Sequence, residues 1–78
     1  MEKIETQLAQ LINVEPDRAF DVLIVLEPGT ETVSLKIENA RLLMKNILAA
    51  TITGKEIISI SKNNAVISIE PDSEMGVF

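Results

Sequence analysis

TITGKEIISISKNNAVISIE, residues 51–70, decides the fold, because it reads two ways. As a hairpin, EIISIS and AVISIE are isoleucine-rich strands either side of the polar turn Lys62-Asn63-Asn64, where asparagine suits a tight loop. As a helix followed by a strand, Thr53 and Glu56 stand at the T-x-x-E spacing of a capping box just before an apolar run. Ile57 and Ile60 then share a helical face, and Asn63 or Asn64 supplies a left-handed exit. Isoleucine is β-branched and stiff at χ1, so pattern alone leans towards the hairpin. Ala65–Ile69 alternates and reads as a strand in either case.

Upstream, RLLMKNILAATIT (41–53) is a long apolar stretch interrupted at Lys45-Asn46, which fits two strands joined by a tight turn or bulge. FDVLIVL (20–26) is nearly continuous in apolar residues, the pattern of a central strand buried on both faces. Glu27-Pro28-Gly29-Thr30 ends it, and ETVSLKIENA (31–40) is weakly patterned, with Val33 and Ile37 able to share a short helical face. EKIETQLAQLIN (2–13) carries Ile4, Leu8, Leu11 and Ile12 at helical spacing, an apolar stripe suited to covering a sheet. The turn VEPDRA (14–19) follows, broken by Pro16 and Asp17.

Seventy-eight residues make one domain near the lower limit of what folds unaided, and the absence of cysteine rules out disulfide staples. The core must be aliphatic; the chain is 46% hydrophobic and includes eleven isoleucines, enough for one layer of helices on one sheet. With a net charge of −5 and two phenylalanines as its only aromatics, it lacks the basic stripe and stacking rings of nucleic-acid binders. No apolar run approaches the ~20 residues of a membrane span. The polar N-terminus, MEKIETQLAQ, does not read as a signal peptide. The expectation is an intracellular protein, or one whose targeting segment lies outside this chain. Without histidine or cysteine, the commonest general base and the soft metal ligands are missing, and the carboxylates are scattered as solvated ones are. The composition therefore argues against an enzyme and implies no cofactor.

ENARLLMKNILAATITGKEIISISKNNAVISIEPDSEMGVF (38–78) resembles the second half of the subtilisin propeptides, the inhibitor I9 family. Its elements fall in the family's order at similar spacing. Asn46 marks a turn and Ala50-Thr51-Ile52-Thr53 a strand; Lys55 to Lys62 stands for a helix, and Val66 to Asp72 for a strand running into E-x-D. FDVLIVLEPG is similar to the family's first strand. The resemblance implies an α+β, ferredoxin-like antiparallel sheet with helices on one face, and residues 54–62 helical. It covers about half the chain. One departure stands out: only residues 28–40 separate the first two strands, so the first crossover helix must be shortened or missing. The N-terminal helix would then be an extra element covering the sheet face it leaves bare. The implied organisation is a single domain, with helix and turn over 1–19, sheet and helix over 20–72, and an extended tail over 73–78.

The tail AVISIEPDSEMGVF (65–78) raises a question of its own, since it ends on Met75-Gly76-Val77-Phe78 after an acidic run. Those apolar residues either tuck into this protein's own core or lie in another protein's groove. The resemblance implies the groove. Glu70 and Asp72 would cap the N-termini of two surface helices of a subtilisin-like serine protease, where unpaired N–H groups favour anions. Pro71 between them has no N–H to give and suits an edge. Met75, Gly76, Val77 and Phe78 would lie extended in the protease cleft by strand addition, with Phe78 next to the scissile position and Met75 three residues before it. The chain would act as inhibitor or intramolecular chaperone. The contrasting expectation is a non-inhibitory structural module that shares the fold and self-associates through a sheet edge.

Overall fold

The computed structural model describes residues 3–29 and 40–72. It is a small α+β domain in the order α1 (Thr6–Val14), β1 (Ala19–Leu26), β2 (Ala40–Met44), β3 (Ile47–Thr53), α2 (Gly54–Ser61) and β4 (Val66–Pro71). The four strands form one sheet in the order β2-β3-β1-β4, and every neighbouring pair is antiparallel. The expected shortening of the first crossover helix falls largely on residues 30–39, outside the described residues.

Helix α1 begins later than the stripe suggested. Glu5 caps it, its carboxylate accepting the N–H groups of Gln7 at 2.9 Å and Leu8 at 3.0 Å. Ile4 therefore lies outside the helix. It forms a parallel bridge to Ile69, with Ile69 N–H donating to the Lys3 carbonyl at 2.7 Å and Glu5 N–H to the Ile69 carbonyl at 2.9 Å. The burial expected of the stripe holds for Ile4, Leu8 and Ile12, while Leu11 is only partly covered.

Strand β1 is central, as its apolar run implied, but it is not sealed on both faces. Phe20, Val22, Ile24 and Leu26 are buried beneath the helices, whereas Leu23 and Val25, on the opposite face, are half-buried. Among the described residues both helices lie on one face of the sheet, and no described helix covers the other. Strands β2 and β3 meet at the Lys45-Asn46 turn, with a register shift between Leu42 and Met44. Asn46 ties this turn to β1: its amide nitrogen donates to the Leu26 carbonyl at 2.9 Å, and Leu26 N–H donates back to the Asn46 carbonyl at 2.8 Å.

The decisive stretch folds as helix then strand, and the hairpin favoured by propensity does not form. The reason is a full set of partners at the start of α2. Thr53 accepts the Glu56 N–H at 3.2 Å and Glu56 accepts the Thr53 N–H at 3.0 Å, completing the capping box. Gly54 N–H donates to the Arg18 carbonyl at 3.1 Å and Lys55 N–H to the Pro16 carbonyl at 3.0 Å. Three donors that a helix start leaves unpaired are thus satisfied. Ile57 meanwhile enters the core fully buried, and burial of this kind outweighs the modest β preference of isoleucine. Asn63 then launches β4, its side chain accepting the Ala65 N–H at 2.8 Å and its carbonyl the Val66 N–H at 3.0 Å. The core gathers Ile4, Leu8 and Ile12 with Ile57 against the inner face of the sheet, which is filled by Val22, Ile24, Leu48, Val66 and Ile69 among others.

Candidate functional site

The sheet face away from the helices has a definite pattern, which follows from strand register. Asp21 stands opposite Thr51 on β3, and Asp72 N–H donates to the Asp21 carbonyl from the other side at 3.0 Å. Thr51 Oγ1 also donates to the Asp21 carboxylate at 2.6 Å. The next rung on this face reads Arg41, Ala49, Leu23 and Glu70, and the one after it Met44, Ile47, Val25 and Ser68. The face is polar and acidic at one end and becomes apolar towards the Lys45-Asn46 turn.

Glu70 and Asp72 are brought together at the acidic end. Glu70 is exposed, opposite Leu23, and Asp72 is half-covered at the point where β4 finishes. Pro71 pairs with Val22 on β1. Because Ile69, two residues earlier, directs its N–H outwards to Lys3, Pro71 presents its ring nitrogen to the same outer edge. A residue without an N–H loses least there. Met75, Gly76, Val77 and Phe78 lie outside the described residues. Asp21 and Thr51 were not singled out in the sequence. The available signal was the alternation of β1, which puts Asp21 on the same face as Leu23; its place beside the end of β4 comes from the pairing of the two strands.

The start and finish of β4 are both held. Its inner edge pairs with β1 from Val66 to Pro71, and its outer edge takes the bridge from Ile4. Lys3 adds a hydrogen bond from its ammonium group to the Asn63 carbonyl at 2.9 Å. The chain at Asp72 is therefore set by backbone on the β1 side, through the Asp21 carbonyl, and β4 is flanked on its other side three residues earlier, at Ile69. Among the described residues, no group of three or more acidic side chains is placed to hold a metal ion. No described helix is long and apolar enough to cross a membrane. Comparison with protein-family models, curated proteins and solved structures gives no match to this chain.

Proposed function

We propose that this domain is a binding module of the subtilisin-propeptide type, which inhibits or chaperones a subtilisin-like serine protease and carries out no catalysis itself. One observation carries the reading: β4 runs into Glu70-Pro71-Asp72 while anchored by β1 on one side and by Ile4 on the other. The tail from residue 73 onward then starts from a fixed point, and the cost of ordering the Glu70–Asp72 segment itself is met before binding. The strand order β2-β3-β1-β4, with α2 joining β3 to β4, supports a ferredoxin-like arrangement with α1 as an additional cover. On this reading the protease takes Glu70 and Asp72 at helix N-termini. Met75 and Phe78 fill apolar subsites, and no cofactor, nucleic acid or membrane takes part.

The test is a steady-state titration of a broad-specificity subtilisin with the full chain, using a chymotrypsin-fold protease as control. Truncated apolar anchors commonly cost ~2–4 kcal/mol, so deleting Val77 and Phe78 is expected to weaken inhibition by at least about 30-fold. The melting temperature should hold. No inhibition at micromolar protein, or equal inhibition with and without the last two residues, overturns the reading. A collapse in melting temperature on deletion would instead place Phe78 in this protein's own core.

A further inference from the structure

The fold treats its two sheet edges differently. The outer edge of β4 is bridged at Ile69 by Lys3–Glu5, whereas among the described residues no backbone group pairs with the outer edge of β2. The side chains of β2 are also unusual for a solvent edge. Leu42, Leu43 and Met44 are 55%, 49% and 63% exposed, three consecutive large apolar residues on one five-residue strand. Arg41 and Lys45 flank them, and among the described residues neither takes part in an ion pair, although Lys55 and Arg18 both do. In a chain of net charge −5, this strand is a local basic and apolar stripe.

We propose that the outer edge of β2 is a second binding site, which takes an extended segment of another protein carrying carboxylates on either side of apolar residues. Backbone pairing to an open edge supplies the affinity in such strand addition, and flanking side chains select the sequence. Apolar residues of the incoming strand lie against Leu42, Leu43 and Met44, and its carboxylates approach Arg41 and Lys45. A second copy of this chain is the poorer occupant. Antiparallel pairing of two β2 strands would crowd two arginines and two lysines into a contact about 17 Å long, and like charges across a strand pair are unfavourable. The register shift after Leu42 further interrupts a self-pairing ladder. This site lies at the opposite edge from Glu70 and Asp72, roughly 14 Å across the sheet at the usual strand spacing, so both can be occupied at once.

The experiment is an NMR titration of the full chain, without protease, using two capped pentapeptides. One is glutamate-valine-isoleucine-valine-glutamate; the other replaces both glutamates with lysine. The expected result is saturable shifts centred on the amides of residues 40–44, with the acidic peptide binding about three- to tenfold more tightly, as two exposed charge pairs allow. That preference should shrink at high salt and reverse in the exposed double variant Arg41→Glu, Lys45→Glu. Shifts that do not saturate at millimolar peptide, equal affinity for the two peptides, or a preference unchanged in the double variant would overturn the proposal. So would sedimentation showing a dimer whose β2 amides are protected in the free protein. Because no protease is present, failure here leaves the reading of the tail untouched.

Discussion

Ile4 lies beside Ile69 in a single parallel rung, so the start of the described chain bridges the outer edge of β4. Both side chains are buried in one cluster with Leu8, on the first turns of α1. This couples the N-terminal helix to the strand that presents Glu70 and Asp72. Truncating a fully buried leucine typically costs ~2–5 kcal/mol, and a domain of this size has only about 5 kcal/mol or a little more in hand. Leu8→Ala and Ile4→Ala should each lower the urea midpoint substantially without changing the slope. If residues 1–13 can be removed with no loss of stability, the helix is not part of the folded unit and the coupling does not exist.

Thr53 and Glu56 satisfy one another's backbone N–H groups, and this exchange is local enough to test alone. Thr53→Ala should destabilise the domain by about 1 kcal/mol, within the usual range for a lost N-cap. Thr53→Ser should recover most of that, because the hydroxyl is retained. Equal loss in both variants would mean that threonine contributes through packing, not through capping.

Gly54 tests the close approach of α2 to the loop after α1. A Cβ added there would sit 2.9 Å from Ile12 Cγ2, 3.0 Å from the Pro16 carbonyl oxygen and 3.1 Å from Pro16 Cα. Helix propensity favours alanine over glycine by up to about 1 kcal/mol. Here the clash should win, because two of the three obstructing atoms are backbone and cannot rotate away. Gly54→Ala is expected to cost roughly 1–3 kcal/mol, the usual range for overpacking. A variant more stable than the parent by thermal melting would show that the loop yields easily.

These two residues also explain how far the sequence could be read. Strands β1, β3 and β4 and the turn at Lys45-Asn46 were legible from apolar runs broken by polar residues, because burial on a sheet imposes that pattern directly. Helix α2 was not legible from propensity, since its isoleucines favour a strand and two of its capping partners, the carbonyls of Pro16 and Arg18, are more than thirty residues away. The spacing of Thr53 and Glu56, with Ile57 and Ile60 on one helical face and an asparagine at the exit, was the local sign. At the candidate site, Glu70 and Asp72 stood out in the sequence as a pair around Pro71. Asp21 and Thr51 join them only through register, which no single segment encodes. The exposure of Leu42 to Met44 was hidden for the same reason: an apolar run looks alike whether its strand is central or at an edge.

The ion pair between Lys55 and Asp17, at 2.8 Å, links the start of α2 to the same loop. Its hydrogen bond to Asp17, and then the charge of Asp17, raise the Lys55 pKa above the ordinary 10.5. A folded value above the unfolded one means that any stabilisation is fully present below about pH 10 and lost as pH rises through the folded value. Both side chains are largely exposed, so the contribution is small. Lys55→Gln should leave the neutral-pH melting temperature close to that of the parent, and the two proteins should converge at alkaline pH. A marked loss at pH 7 would show that the pair is better shielded from water than its exposure indicates.

The acidic end of β4 offers the sharpest separation between recognition and stability. Glu70 is exposed and the Asp72 backbone is held by Asp21; amides match the carboxylates in shape and can still accept hydrogen bonds, so replacing both side chains should keep the form of the strand end. On the protease-binding reading, the same double replacement, Glu70→Gln with Asp72→Asn, removes two charges aimed at helix N-termini. Each such interaction is typically worth 0.3–1 kcal/mol when exposed, so inhibition of the subtilisin should weaken by about three- to thirtyfold, less than on deleting Val77 and Phe78. The deficit should narrow as salt rises, because a Debye length of about 3 Å at 1 M leaves little of an exposed charge interaction. Apolar anchoring by Phe78 should persist under those conditions. An inhibition constant that is unchanged by the amides at low salt, with a normal melting temperature, would remove Glu70 and Asp72 from the binding surface. A loss that stays constant across the salt series would mean that they act through the shape of the β4 terminus, not through their charge.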